Sequence, residues 1–142
     1  MTTASIDTTT ETAATTTATW APRLLSVFRI VVGLLFMAHG LVKLFGFPAG
    51  AEPGQVPLAT IYGAAALLET FGGGAIVLGL FTRPVAFVLS GMMAVAYFMA
   101  HAPQGFYPVL NGGELAIIYS FAFLYFSAAG PGPWSIDAKR AA

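Results

Sequence analysis

From Leu24 onward the chain is a succession of four long apolar runs separated by short breaks, at about residues 24–45, 58–81, 85–102 and 113–129. A helix needs roughly 17–25 residues to cross a hydrocarbon core of ~30 Å. The first two runs meet this comfortably, and the last two lie nearer the lower limit. Proline and glycine mark the breaks, at Gly46-Phe47-Pro48, Thr82-Arg83-Pro84, Pro103-Gln104-Gly105 and Gly130-Pro131-Gly132-Pro133. In lipid the backbone must satisfy its own hydrogen bonds, so runs of this length are helices. The period-2 alternation of a membrane barrel is absent. The pattern predicts an all-α integral membrane four-helix bundle.

The ends read differently. Residues 1–22 are dominated by Thr and Ala, without an apolar period, and are expected to form a disordered tail. This tail lacks the basic start of a signal peptide, and the run after it is too long for one, so the first span is expected to stay in the mature protein. Residues 131–142, with Trp134, Asp137, Lys139 and Arg140, read as an interfacial foot. Arg23, Arg83, Lys139 and Arg140 fall on one side of a four-span path, and the opposite loops hold Glu52 but no Lys or Arg. The positive-inside rule therefore puts both termini in the cytoplasm, with Trp20 and Trp134 at that interface.

Composition narrows the chemistry. Of 142 residues, 57% are hydrophobic and 8% charged, against about 25% charged in a soluble domain. The net charge is zero, so no overall field favours nucleic acid. There is no cysteine, which excludes disulfides, thiolate metal sites and cysteine-held iron–sulfur clusters. No nucleotide fingerprint or zinc motif occurs, and no metal site or covalently bound cofactor is expected. Ser26, Ser90, Ser120 and Ser127 lie in or beside spans and are expected to bond backbone carbonyls.

The informative positions are the ionisable ones inside the spans: Arg29, His39 and Lys43 on the first, Glu69 on the second, His101 at the end of the third and Glu114 at the start of the fourth. Each costs about 2.5–3.5 kcal/mol in lipid on insertion scales, so each should face protein or water. At 100° per residue Arg29, Gly33, Phe36, Gly40 and Lys43 share one stripe, with His39 on the same side. Tyr62, Ala65, Glu69, Gly73 and Ile76 form a matching stripe on the second span. Depths at 1.5 Å per residue suggest two clusters, Arg29 with Glu69 deep in the bundle, and His39, Lys43 and Glu114 near the outer mouth, with His101 close in depth to the second. Bland readings stand beside these. Arg29–Glu69 is also explicable as an ion pair that fixes packing, and Lys43 as a snorkelling side chain. Asn111-Gly112-Gly113-Glu114 has the spacing of a capping box, and His101 sits where it can simply bond backbone.

Several segments together carry a family resemblance: Arg29-Ile-Val-Val-Gly33, His39-Gly40-Leu-Val-Lys43, Glu69-Thr-Phe-Gly, Leu80-Phe-Thr82-Arg83, Tyr97-Phe-Met-Ala-His101, Asn111-Gly-Gly-Glu114 and Gly130-Pro-Gly-Pro-Trp134-Ser135. The chain resembles the DoxX family of small bacterial membrane proteins over about Leu24 to Ala138. The resemblance implies a four-helix protein of the bacterial inner membrane, a subunit or accessory of a quinone-linked oxidoreductase system, with other membrane or peripheral redox proteins as partners. A quinone needs an apolar cleft, aromatic walls, a few donors and a proton route. His39 and Lys43 offer donors, Glu69 or Glu114 a relay, and Phe36, Tyr97 and Phe98 walls. Alternatives are a non-catalytic scaffold or assembly subunit, a small proton-coupled transporter assembled as a homo-oligomer, and a haem held by His39 and His101.

Overall fold

The computed structural model describes residues 8–142, with side chains from residue 18. The described residues form helices and loops only. Helix α1 (Thr8–Phe45) is the longest. Helix α2 (Ile61–Leu78) and helix α3 (Thr82–Gln104) complete the three helices long and apolar enough to cross a membrane. A short α4 (Pro108–Asn111) leads into the apolar sixteen-residue α5 (Glu114–Ala129), and α6 (Ile136–Ala141) ends the chain. The four apolar runs are thus helices, as their lengths require. Helix α1 extends back to Thr8, so residues 8–22 are helical where their composition suggests a disordered tail; residues 1–7 lie outside the described residues. Once a span is packed, each further residue adds a hydrogen bond without a new nucleation cost.

Two boundaries differ from the pattern. Thr82-Arg83-Pro84 is the first turn of α3, where proline's missing N–H would be unpaired in any case. The break falls earlier, on Gly79 and Phe81, both left-handed. Helix α2 starts at Ile61, capped by the Thr60 hydroxyl, three residues later than expected.

The four long helices pack antiparallel to their neighbours. On α1, Gly33 lies against Ile76 and Val77 and Gly40 against Ala66 and Thr70, which fixes the α1–α2 register. Ser90 and Ser120 exchange hydroxyl-to-carbonyl bonds of 2.8 and 3.0 Å between α3 and α5. Ser26 bonds Pro22 and Ser127 bonds Leu124, so all four serines serve backbone carbonyls as expected. Aromatic contacts join α1 to α5, with Phe36 at 4.7 Å from Phe123 and 5.1 Å from Tyr119 between ring centres. Val32, Phe36, Ile76, Leu89, Phe123 and Phe126 form the centre. Lipid-facing side chains such as Phe71, Phe87 and Phe121 remain exposed.

Small residues set the closest approach. A Cβ at Gly40 would lie 2.6 Å from the Thr70 nitrogen and 2.8 Å from the Ala66 oxygen, both backbone atoms that cannot step aside. Gly40→Ala is therefore expected to cost about 1–3 kcal/mol by overpacking. Lowered accumulation in membranes and a lower melting temperature in detergent check this, with Gly74→Ala, whose Cβ meets only the Met37 sulfur at 3.8 Å, as the tolerated control.

The C-terminal segment closes the end of the bundle that carries the termini. The guanidinium of Arg29, fully buried, donates from Nε to the Pro131 carbonyl at 2.8 Å, from Nη1 to those of Ile76 and Val77, and from Nη2 to that of Trp134. Arg83 does the same for the end of α5, donating to the carbonyls of Ser127 and Ala128. The Asp137 carboxylate accepts from the backbone N–H groups of Phe81 and Thr82 at 2.9 and 2.8 Å and so caps α3. Burial raises the pKa of this carboxyl, but the two N–H donors and nearby Arg140 outweigh it, and the net shift is downward from the ordinary value. Arg140 in turn lies 5.6 Å from the centre of the Phe81 ring.

Candidate functional site

Towards the opposite end, α1, α2, α3 and α5 part to leave a cleft of about 610 Å³. That size is in the usual range for small-molecule sites. Its walls are mainly apolar: Phe36, Ala65, Leu68, Met92, Met93 and Ala96 are among them. The polar side chains on it are His39, Lys43, Tyr62, Glu69, His101 and Tyr119. An apolar cleft with a few convergent polar groups is the usual form of a binding site.

The charges pair otherwise than helix depths suggest. Lys43 Nζ donates to both oxygens of Glu69, at 2.6 and 2.8 Å, and Glu69 is only 5% exposed. Arg29 is not the partner of Glu69; it binds the carbonyls named above. The register explains this pairing. Gly40 lies against Thr70 and Ala66, which puts Glu69 level with Gly40 and one turn from Lys43. Arg29 is eleven residues from Gly40, roughly 16 Å along the helix. The late start of α2 at Ile61 is what brings Glu69 nearer the mouth of the cleft.

Glu114 does not join this cluster. It is exposed in the first turn of α5 and forms no ion pair among the described residues. Nor does Asn111 cap that helix through a capping box, since Gly113 is the cap residue. Asn111 is buried instead in the preceding turn, where its Oδ1 accepts from Gly113 N and its Nδ2 donates to the Gly105 carbonyl. With the helix cap at Gly113, Glu114 is the first helical residue rather than the third, and the cap N–H is already bonded to Asn111 Oδ1.

His39 and His101 both reach the cleft, each tied to backbone. His39 Nδ1 lies 2.8 Å from the Leu35 carbonyl and His101 Nδ1 lies 2.9 Å from that of Asn111. The His39 ring meets Tyr119 edge-on at 5.9 Å, and the His101 ring stacks on Tyr97 at 6.4 Å. Phe36 is a wall, as expected, whereas Tyr97 supports His101 from behind and Phe98, 69% exposed, faces away.

Two of the three helices that carry the ionisable groups of the cleft, α2 and α3, loosen where they do so. Leu68–Gly72, with Glu69, and Tyr97–His101, with His101, are π-helical turns. Such turns are rare and cluster at functional sites, because the extra residue turns side chains off the regular stripe. Two of the four cleft-lining helices are thus distorted at their polar residues. Residues 24–102, more than half of the chain, match the DoxX family model. The chain belongs to the DoxX family. The match takes in His39, Lys43, Glu69 and His101 but stops before α5, which supplies Tyr119.

Among the relatives of this DoxX protein, one from Haemophilus influenzae, described as an uncharacterized protein, is 42% identical over 124 residues, covering 84% of this chain and 92% of its own. The inner membrane protein YqjF of Escherichia coli is 33% identical over 122 residues, or 78% of this chain and 87% of that one. No solved structure matches. Together with its apolar helices, these likenesses make this DoxX protein a multi-pass protein of the bacterial inner membrane.

Tyr119, Met92 and Met93 are cleft residues that the sequence pattern does not reveal. In an apolar span a tyrosine or methionine resembles its neighbours; only the α1–α5 packing sets Tyr119 beside His39. The clasp of Arg29 on the C-terminal segment was equally hidden, because backbone carbonyls leave no signature in sequence.

Proposed function

We propose that this DoxX protein binds a membrane quinone in the cleft and serves as a membrane subunit of a quinone-linked oxidoreductase system, its termini in the cytoplasm. The observation that carries this reading is the cleft itself, whose apolar walls meet the part-buried Lys43–Glu69 pair and two imidazoles, with Glu69 and His101 at π-helical turns. The residues fit such a ring. Phe36, Met92, Met93 and Ala96 offer flat or yielding apolar contact, and His39, His101 and the Tyr119 hydroxyl offer hydrogen bonds. A bound quinone would supply the two-electron carrier. The chain supplies its seat, and Lys43 with Glu69 sets one fixed dipole at the wall. Without cysteine the chain has no thiol redox centre of its own, which favours a partner protein as the source or sink of electrons.

Filling the cleft tests this. Purification in mild detergent is expected to bring down quinone at near one per chain, measured by mass analysis of the extracted lipids. Ala96→Trp, on the cleft wall, is expected to reduce retained quinone at least tenfold while the protein still accumulates and elutes as the parent does. Equal quinone in both preparations, or none in the parent, would count against the proposal.

A further inference from the structure

The last four residues up to each imidazole are the same, Phe36-Met37-Ala38-His39 on α1 and Phe98-Met99-Ala100-His101 on α3. The two histidines come from corresponding helices of two antiparallel pairs, α1 with α2 and α3 with α5, and they line one cleft. Both use Nδ1 on a backbone carbonyl, that of Leu35 for His39 and that of Asn111 for His101. A carbonyl oxygen only accepts, so in each ring the hydrogen sits on Nδ1. In a neutral imidazole the other nitrogen then carries a bare lone pair and can only accept. No protein group bonds either Nε2 among the described residues.

The remaining polar groups of the cleft do not offset this. The Lys43 ammonium gives two of its three N–H donors to the Glu69 oxygens, whose spare lone pairs balance the third, and the hydroxyls of Tyr62 and Tyr119 serve as donor or acceptor alike. The cleft therefore offers two ring nitrogens that ask for donors. The two oxygens of an oxidised quinone are acceptors and meet them lone pair to lone pair. The two hydroxyls of a hydroquinone donate.

Resting on the quinone reading of the cleft, we infer that it selects the reduced, dihydroxy form, with His39 Nε2 and His101 Nε2 as acceptors for the two hydroxyls. The histidines are then the groups that tell the two redox forms apart. The carbonyls of Leu35 and Asn111 act as positioning groups, because they fix which nitrogen faces the ligand.

Three probes separate the possibilities on the intact protein in lipid nanodiscs, by anaerobic titration calorimetry against empty nanodiscs: tetramethylhydroquinone, tetramethylbenzoquinone and the dimethyl ether of the hydroquinone. All share one ring, and only the first donates hydrogen bonds. The hydroquinone is expected to bind roughly tenfold or more tightly than the other two, the size of effect that two hydrogen bonds supply. His39→Leu and His101→Leu are each expected to weaken hydroquinone binding several-fold and to leave the quinone unchanged. Equal affinity for all three probes in the parent protein would overturn this inference while leaving the cleft as a ring-binding site. Binding of none of them would overturn the quinone reading as well. The comparison of probes needs no variant, so a misfolded substitution cannot mask the answer.

Discussion

Arg29→Leu is expected to remove most of the protein from the membrane fraction. The side chain is fully buried and its guanidinium holds carbonyls from two segments distant in sequence, at Ile76 and Val77 and at Pro131 and Trp134. Loss of the donor leaves buried carbonyls without this partner, at about 1–3 kcal/mol for each that water cannot reach. It also frees the C-terminal segment, whose Gly132 packs on Ser26 and whose Trp134 N–H donates to the Ser26 hydroxyl. The combined cost is expected to exceed about 3 kcal/mol, the range reserved for broken buried networks. Arg29→Lys is expected to recover only part, since one ammonium cannot span carbonyls that the planar fork reaches from three nitrogens. Immunoblotting of membranes, with limited proteolysis at residues 131–142, reads both effects. The charge exchange Arg29→Glu with Glu69→Arg is expected to rescue nothing, because the two side chains are not partners.

The second large effect is expected at Lys43 and Glu69. Breaking a buried pair by removing one partner costs about 3–5 kcal/mol, because the other charge is left uncompensated. Lys43→Met or Glu69→Leu alone should therefore depress accumulation strongly. The double change is expected to restore it, since a buried pair replaced by apolar residues of like size is often neutral or better. The restored double variant is also informative about function. A pair that only pins α1 to α2 leaves quinone retention intact when replaced; a pair that belongs to the site takes retention with it. The proposal expects a stable double variant with at least tenfold less quinone. A double variant no better than either single one would mean that the ion pair is not the reason these residues are intolerant.

The helical nature of the four apolar runs, the buried stripes and four of the cleft's polar residues, His39, Lys43, Glu69 and His101, were legible in the sequence, because lipid forces apolar length and punishes stray charge. Gly33, Phe36 and Gly40 are buried as helical periodicity requires, as are Glu69, Gly73 and Ile76. The pairing was not legible. A span boundary read from hydropathy is uncertain by several residues, and a shift of three residues at Leu58–Ile61 moves Glu69 by most of a turn. That shift exchanges Arg29 for Lys43. Glu114 looked like a member of the cluster by depth alone, yet the turn at Asn111–Gly113 starts α5 with its side chain outside. The π-helical turns at Glu69 and His101 have no period of their own to betray them.

Photolabelling tests the central claim most directly. A quinone carrying a photoactivated azide would be bound to the protein in membranes, irradiated, and its attachment sites located by peptide mass analysis. Labels are expected on the cleft segments, near Phe36–Lys43, Ala65–Glu69, Met92–His101 and Leu115–Tyr119, and unlabelled quinone is expected to compete them away. Labels spread over the lipid-facing residues, such as Phe71, Phe87 and Phe121, and indifferent to competitor, would show that quinone meets this protein only as it meets any apolar surface.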